Sequence, residues 1–222
     1  HKAAASTLLP QRGRPLSTAF FPNWEASAFD SLRVALPQLD WAIPTWISLQ
    51  GPNLALKDGF HQQVYDLVRR NKKSVAILPT VQNATLGVWD GKGMAALLAD
   101  PKRSDALVKQ LTDYLGTRKL DGVVMDIEAL PDDSYGNYGM FLRNLRKAFK
   151  PYGWIVVLAS PVSNDKWPWA TFESEVDYIM LMAYDEHTTP GAPGSIAGQS
   201  WFENIIDKRM KLLNPAKTII AL

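Results

Sequence analysis

The chain has no cysteine. Disulfides, thiol nucleophiles and zinc sites built on thiolates are therefore excluded. Histidine is nearly as scarce: His1, His61 and His187 are the only three, and they make no ligand pair at a metal-binding spacing. No run reaches the roughly 18 apolar residues from which a membrane-spanning helix is read. Neither sign of charge dominates. Lys and Arg number 24 against 22 Asp and Glu, a net charge of +2 spread along the chain. The dense basic patch of a nucleic-acid surface is missing. So are internal repeats and low-complexity segments.

What remains is ordinary globular material. The 222 residues are 46% hydrophobic and 21% charged, enough for one domain with a full core. Lack of cysteine suits an oxidising compartment. Residues 1–15, HKAAASTLLPQRGRP, are small, polar and basic, and read as a linker or tail. They lack the long apolar stretch of a signal peptide. The domain itself is expected over 16–222.

Short apolar runs alternate with helical patterns. Strands are expected at 16–24, 39–49, 73–81, 120–128, 154–162, 176–185 and from 218 onward. Helices are expected at 61–71, 104–118 (with Gly116 as its stop), 138–153 and 202–214. Apolar strands alternating with helices are the habit of a parallel sheet covered by helices. Seven strands in about 200 residues fit a (β/α)8 TIM barrel better than an open sheet. Its seventh strand would be cut at Leu222, and its eighth would be missing.

The fourth strand carries the chemistry. In LDGVVMDIEAL (120–130), Val124, Asp126 and Glu128 share one face, and Val123, Met125 and Ile127 the other. If the apolar face meets the helices, both carboxylates face the barrel axis at the C-terminal end, where barrel enzymes place catalytic groups. One acid can hold the other protonated near neutral pH, which suits a general acid. Spacing alone leaves a second reading open, in which the strand ends at Met125 and both acids are solvated.

DGVVMDIE resembles the strand-four signature of the family 18 glycoside hydrolases, the chitinase and endo-β-N-acetylglucosaminidase group. Their pattern is Asp-Gly-x-Asp-x-Asp-x-Glu. Asp121, Gly122, Asp126 and Glu128 match it, and Val124 replaces the middle Asp. FFPNW (20–24) is similar to the family's Tyr-Phe-x-Asn-Trp, with Phe20 for Tyr. VDYIMLMAYD (176–185) is similar to its Asp-Tyr-x-x-x-Met-x-Tyr-Asp. The resemblance implies that Glu128 protonates the glycosidic oxygen and later activates water. The substrate's own 2-acetamido carbonyl would be the nucleophile, and the outcome retention. Asp126 would orient the acetamido group and stabilise the oxazolinium, Tyr184 would donate a hydrogen bond to it, and Asp185 would contact the sugar. No metal or cofactor is implied. Val124 cannot share a proton with Asp126 as the family's middle Asp does, so Asp126 is expected to stay turned toward Glu128, giving a slower enzyme or an altered pH profile.

Other residues have two readings each. Trp24 and Trp167 follow strand ends and could line a sugar groove, as could Phe20. Trp41 and Trp46 read as core. Gln82 and Asn83, ending strand three, could hydrogen-bond substrate or cap a loop. Asp165 reads as a solvated turn. Tyr178, Met180, Met182 and Tyr184 share a face, where Met is normally packing. Asp185, Glu186 and His187 with the acid pair could make an oxygen-rich metal site, as in a deacetylase. The favoured expectation is an extracytoplasmic hydrolase of β-linked N-acetylglucosamine polymers, belonging to a longer protein. Its main rival is an inactive barrel that only binds carbohydrate.

Overall fold

A computed structural model describes residues 15–22, 26–71, 74–184 and 198–221. The elements in order are β1 (Thr18–Phe21), α1 (Ala26–Ala35), β2 (Trp41–Pro44), β3 (Ile47–Gln50), β4 (Ala55–Asp58), α2 (Gln62–Arg69), β5 (Ala76–Ile77), β6 (Thr80–Gln82), β7 (Ala84–Thr85) and β8 (Val88–Trp89). Then come α3 (Gly91–Ala99), α4 (Pro101–Arg118), β9 (Gly122–Asp126), α5 (Tyr135–Phe149), β10 (Ile155–Pro161), α6 (Trp169–Glu175), β11 (Tyr178–Met182), α7 (Gln199–Met210) and β12 (Thr218–Ala221).

The runs at 39–49 and 73–81, expected as single strands, are each two. Both break at a proline, Pro44 and Pro79, which has no N–H to give to a ladder. The halves sort into two hydrogen-bonded sheets, β1-β2-β5 and β12-β11-β10-β9-β6-β3-β4. β9 bonds to both halves of its neighbour: Asp121 N donates to Ile77 O at 3.1 Å and Val124 N to Pro79 O at 3.0 Å. The result is one curved layer of seven parallel positions, with β4 returning antiparallel beside β3. Among the described residues no pairing joins β1 to β12. The fold is barrel-like: among the described residues seven of the eight parallel positions of a (β/α)8 barrel form an arc that does not close.

Alternation along the strands builds two cores. Val123, Met125, Val156, Leu158, Ile179 and Leu181 face the helices. Val124, Val157, Ala159, Met180 and Met182 face inward and meet Trp41, Ile43 and Leu78. Trp41 and Trp46 are both core, in the inner and outer layers respectively. Three aspartates set the register at the strand starts. Asp40 accepts from Ser17 N at 2.9 Å, Asp121 from Ile77 N at 2.8 Å, and Asp177 from Val156 N at 2.8 Å. Each precedes a strand; Asp121 and Asp177 hold an N–H of a neighbouring strand, and Asp40 holds the N–H just before β1. Asp121 and Asp177 are also paired with Arg69 and Arg146. The Asp of DGVV and the Asp of DYIM are therefore structural.

Helix α4 starts earlier than expected, because the Asp100 carboxylate caps Lys102 N at 2.9 Å and Pro101 suits the first turn. It also runs past Gly116 to Arg118, and Lys119 at φ 53° ends it. Helices α1, α3 and α6 and the β7–β8 hairpin were not expected from the pattern.

Candidate active site

Strand β9 delivers the acid pair. Asp126 is its last residue and only 8% exposed, so the solvated reading is overturned for this carboxylate. Glu128 stands two residues on, half-buried. It borders a cavity of about 310 Å³ lined also by Tyr135, Pro161, Asn164, Trp167 and Met182. The cavity lies at the C-terminal ends of β9, β10 and β11, the face on which barrel enzymes work.

Neighbouring elements fix the pair. Gln82, the register partner of Asp126, donates from Nε2 to Asp126 Oδ2 at 2.7 Å. Asn83 is fully buried. Its Nδ2 donates to Glu128 O at 2.9 Å, and its Oδ1 accepts from Glu128 N at 2.9 Å. Both residues were expected to face substrate or to cap a loop. Instead, Gln82 holds a carboxylate and Asn83 holds a backbone. Behind the pair, the wholly buried Tyr138 phenol is pushed well above its ordinary pKa by desolvation and by the Asp126 charge. Val124, fully buried among apolar inner residues, lies beneath Asp126 on the same face.

The far wall is aromatic and amide. Asn164 Nδ2 donates to Tyr135 Oη at 2.9 Å, and burial raises the Tyr135 pKa. Trp167 lines the cavity yet is 4% exposed. Its ring is held edge-on by Tyr135 and Phe172, and its Nε1 donates to Ser160 Oγ at 3.2 Å. It therefore forms wall rather than an open stacking face. Phe20, the register partner of inward-facing Ile43, is 42% exposed on the inner side of β1. Tyr184, just past β11, packs against the inner core. Asp165 is exposed but not idle. It accepts from Lys208 and from the buried Arg209, each at 2.7 Å, and these partners hold its carboxyl below the usual range. Trp24 and Asp185 lie outside the described residues, as do Glu186 and His187 of the metal alternative. Tyr135 and Asn164 had no sequence signal, since they meet only through the fold.

A layer of parallel strands under helices, with two carboxylates at the C-terminal end of its fourth strand, is the layout of a TIM-barrel-type enzyme. Residues 17–218 match the profile of the glycosyl hydrolases family 18, and the chain belongs to that family. It is 27% identical over 156 residues to the proposed sporulation-specific glycosylase YdhD of Bacillus subtilis (strain 168), covering 67% of this chain and 37% of that protein. It is 22% identical over 167 residues to the glycosylase YvbX of the same organism, covering 70% of this chain and 48% of that one. The chain thus spans about half or less of these relatives. Among solved structures it is similar to a chitinase from Chromobacterium violaceum (TM-score 0.83, 17% identity, 94% of this chain and 68% of that one). It is also similar to the Bacillus cereus spore cortex-lytic enzyme SleL (TM-score 0.82, 15% identity, 92% and 49%).

Proposed function

We propose that the protein is a retaining glycosidase acting on β-linked polymers that contain N-acetylglucosamine, with Glu128 as general acid and base. The observation that carries this is the opening of Glu128 into the cavity two residues beyond the buried Asp126, at the C-terminal end of β9 in a family 18 chain. A half-buried carboxyl beside a second carboxyl is suited to keep a proton near neutral pH. Glu128 gives that proton to the leaving glycosidic oxygen. The substrate's 2-acetamido oxygen attacks the anomeric carbon from the other side, and the C–O bond to the leaving sugar breaks. Asp126 faces the positive oxazolinium so formed, and the Tyr184 hydroxyl donates to the acetamido oxygen. Glu128, now ionised, takes a proton from water, which opens the ring with retention.

No step needs a metal or cofactor. The Asn164–Tyr135 pair and Pro161 border the space beside Glu128, where the sugars flanking the scissile bond fit. Asp185, Trp24 and Phe20 complete the sugar contacts in this reading. Such polymers lie outside the cytoplasm, so the protein is placed there, as part of a longer chain. The test uses chitooligosaccharides with and without N-acetyl groups. Only the acetylated series is expected to be cleaved, with proton NMR showing the β anomer in the first product. Equal cleavage of the de-N-acetylated series would remove the acetamido nucleophile from the scheme.

One observation favours a second reading, an inactive carbohydrate-binding barrel. Val124 leaves no ionisable group before Asp126 on the inner face of β9, the side away from Glu128. Oligosaccharide binding without cleavage would decide for it.

A further inference from the structure

The β9 ladder reaches its last register pair at Gln82 and Asp126. Glu128 lies beyond it, where β6 offers no further strand partner. There, the Asn83 carboxamide supplies one donor and one acceptor to the Glu128 backbone, as a strand neighbour would. Asn83 is itself anchored. Its carbonyl accepts from Asp90 N at 2.8 Å, and the Asp90 side chain caps α3 by accepting from Gly93 N at 2.8 Å. The next residue, Gly91, lies so close to Ala129 O that an added Cβ would stand 1.7 Å from it. Ala129, directly after Glu128, is held at φ 58°, a left-handed conformation that costs a non-glycine residue roughly 1–2 kcal/mol. The contacts close a ring: Asn83, Asp90, Gly91, Ala129, Glu128. One residue earlier, Gln82 points its amide at the Asp126 carboxylate among inward-facing apolar side chains.

We propose that the dipeptide Gln82-Asn83 is the positioning device of the acid pair: Gln82 aims the Asp126 carboxylate, and Asn83 fixes the backbone from which Glu128 reaches the substrate. Both are positioning residues, since each acts through another group. The inference rests on the glycosidase reading for its catalytic consequence, but not for its structural one. The chemistry explains the residue types. A neutral carboxamide gives a donor and an acceptor at once, whereas an ionised aspartate at 83 could hold Glu128 N but not Glu128 O. At 82, a donor suits a carboxylate, whereas glutamate would confront it with a second acceptor.

The experiment combines kinetics with amide hydrogen exchange on the full-length protein and its Asn83→Ala, Asn83→Asp and Gln82→Met variants. Misplacing a catalytic group by about 1 Å costs on the order of 100-fold in rate. Asn83→Ala is expected to lose roughly that in kcat with KM nearly unchanged, and Asn83→Asp to lose at least as much, because its buried carboxylate keeps the acceptor for Glu128 N but sets a second acceptor against Glu128 O. Gln82→Met, of similar shape, is expected to lose roughly 10-fold or more in kcat, the loss of one hydrogen bond to a charged group. In Asn83→Ala the Glu128 amide exchanges at least roughly 10-fold faster, while the Val123 and Met125 amides keep their rates. Unchanged kcat in a folded Asn83→Ala, or an unchanged Glu128 exchange rate, overturns the proposal. If the unaltered protein cleaves nothing, the glycosidase reading fails, and the exchange measurement still decides the role of Asn83.

Discussion

At the residue scale, the account rests on alternation. The face assignment along β9 was legible because strand geometry sends successive side chains to opposite faces, and the two cores divide Val123, Met125 and Ile127 from Val124 as that rule requires. The partners of the acids were not legible. Gln82 and Asn83 were visible as strand-end polar residues, but nothing local says whether an amide will face substrate, solvent or a neighbouring strand. Val124 shows the same limit: the sequence reveals the missing carboxylate, and only the fold reveals the apolar company it keeps. Restoring an acid there is therefore expected to be costly. Val124→Asp places a carboxyl in a fully buried apolar cluster beside Asp126, which destabilises the fold by about 2 kcal/mol or more at neutral pH. Its folded pKa would be raised above the unfolded value, so the cost is least below the ordinary aspartate range of about 4 and grows as the pH rises through it. Urea denaturation of both proteins at several pH values reads this. A penalty that grows toward acid would contradict it.

At the element scale, strands were read more reliably than their ends. The runs at 39–49 and 73–81 hid breaks at Pro44 and Pro79, although proline in a strand was a visible warning. Asp121 and Asp177 were visible as parts of family motifs, but the structural role of the three start-of-strand aspartates was not, because their partners are backbone N–H groups distant in the sequence. Asp121→Ala frees Ile77 N and Arg69 together, and it is expected to cost about 1–3 kcal/mol in urea denaturation. No loss would mean that the aspartate only decorates the strand start. Helix α3 was missed because it is short and rich in glycine and alanine. Its first residue nevertheless abuts Ala129, the residue after Glu128. Gly91→Ala forces the Ala129 carbonyl to move, with an expected cost of about 1–3 kcal/mol by overpacking and a lower kcat. A variant of unchanged stability and rate would show that the contact yields freely.

At the scale of the whole molecule, the alternation of strands and helices was enough to give a barrel-type α/β fold. The count of seven strands was legible as well, and among the described residues β1 and β12 stay unpaired with each other. An ion pair ties two of the outer helices together. Arg143 on α5 grips the buried Glu175 on α6 with bonds of 2.9 and 2.6 Å, which hold that carboxyl below its usual pKa. A depressed carboxylate contributes stability above its unfolded pKa, about 4.3, and loses it as the pH falls through the lower folded value. The stability gap between the protein and its Arg143→Met variant should therefore be widest near neutrality and close below about pH 4. A gap that stays constant into acid would remove the ion pair from the explanation.

The most direct test of the central claim is hydrolysis by the full-length protein and its Glu128→Gln partner on chitooligosaccharides and peptidoglycan glycan strands, with products identified by mass spectrometry. The account expects cleavage at N-acetylglucosamine linkages by the unaltered protein and a loss of at least roughly 100-fold with Glu128→Gln. Cleavage of equal rate by both proteins would contradict it, because Glu128 would then not be the acid.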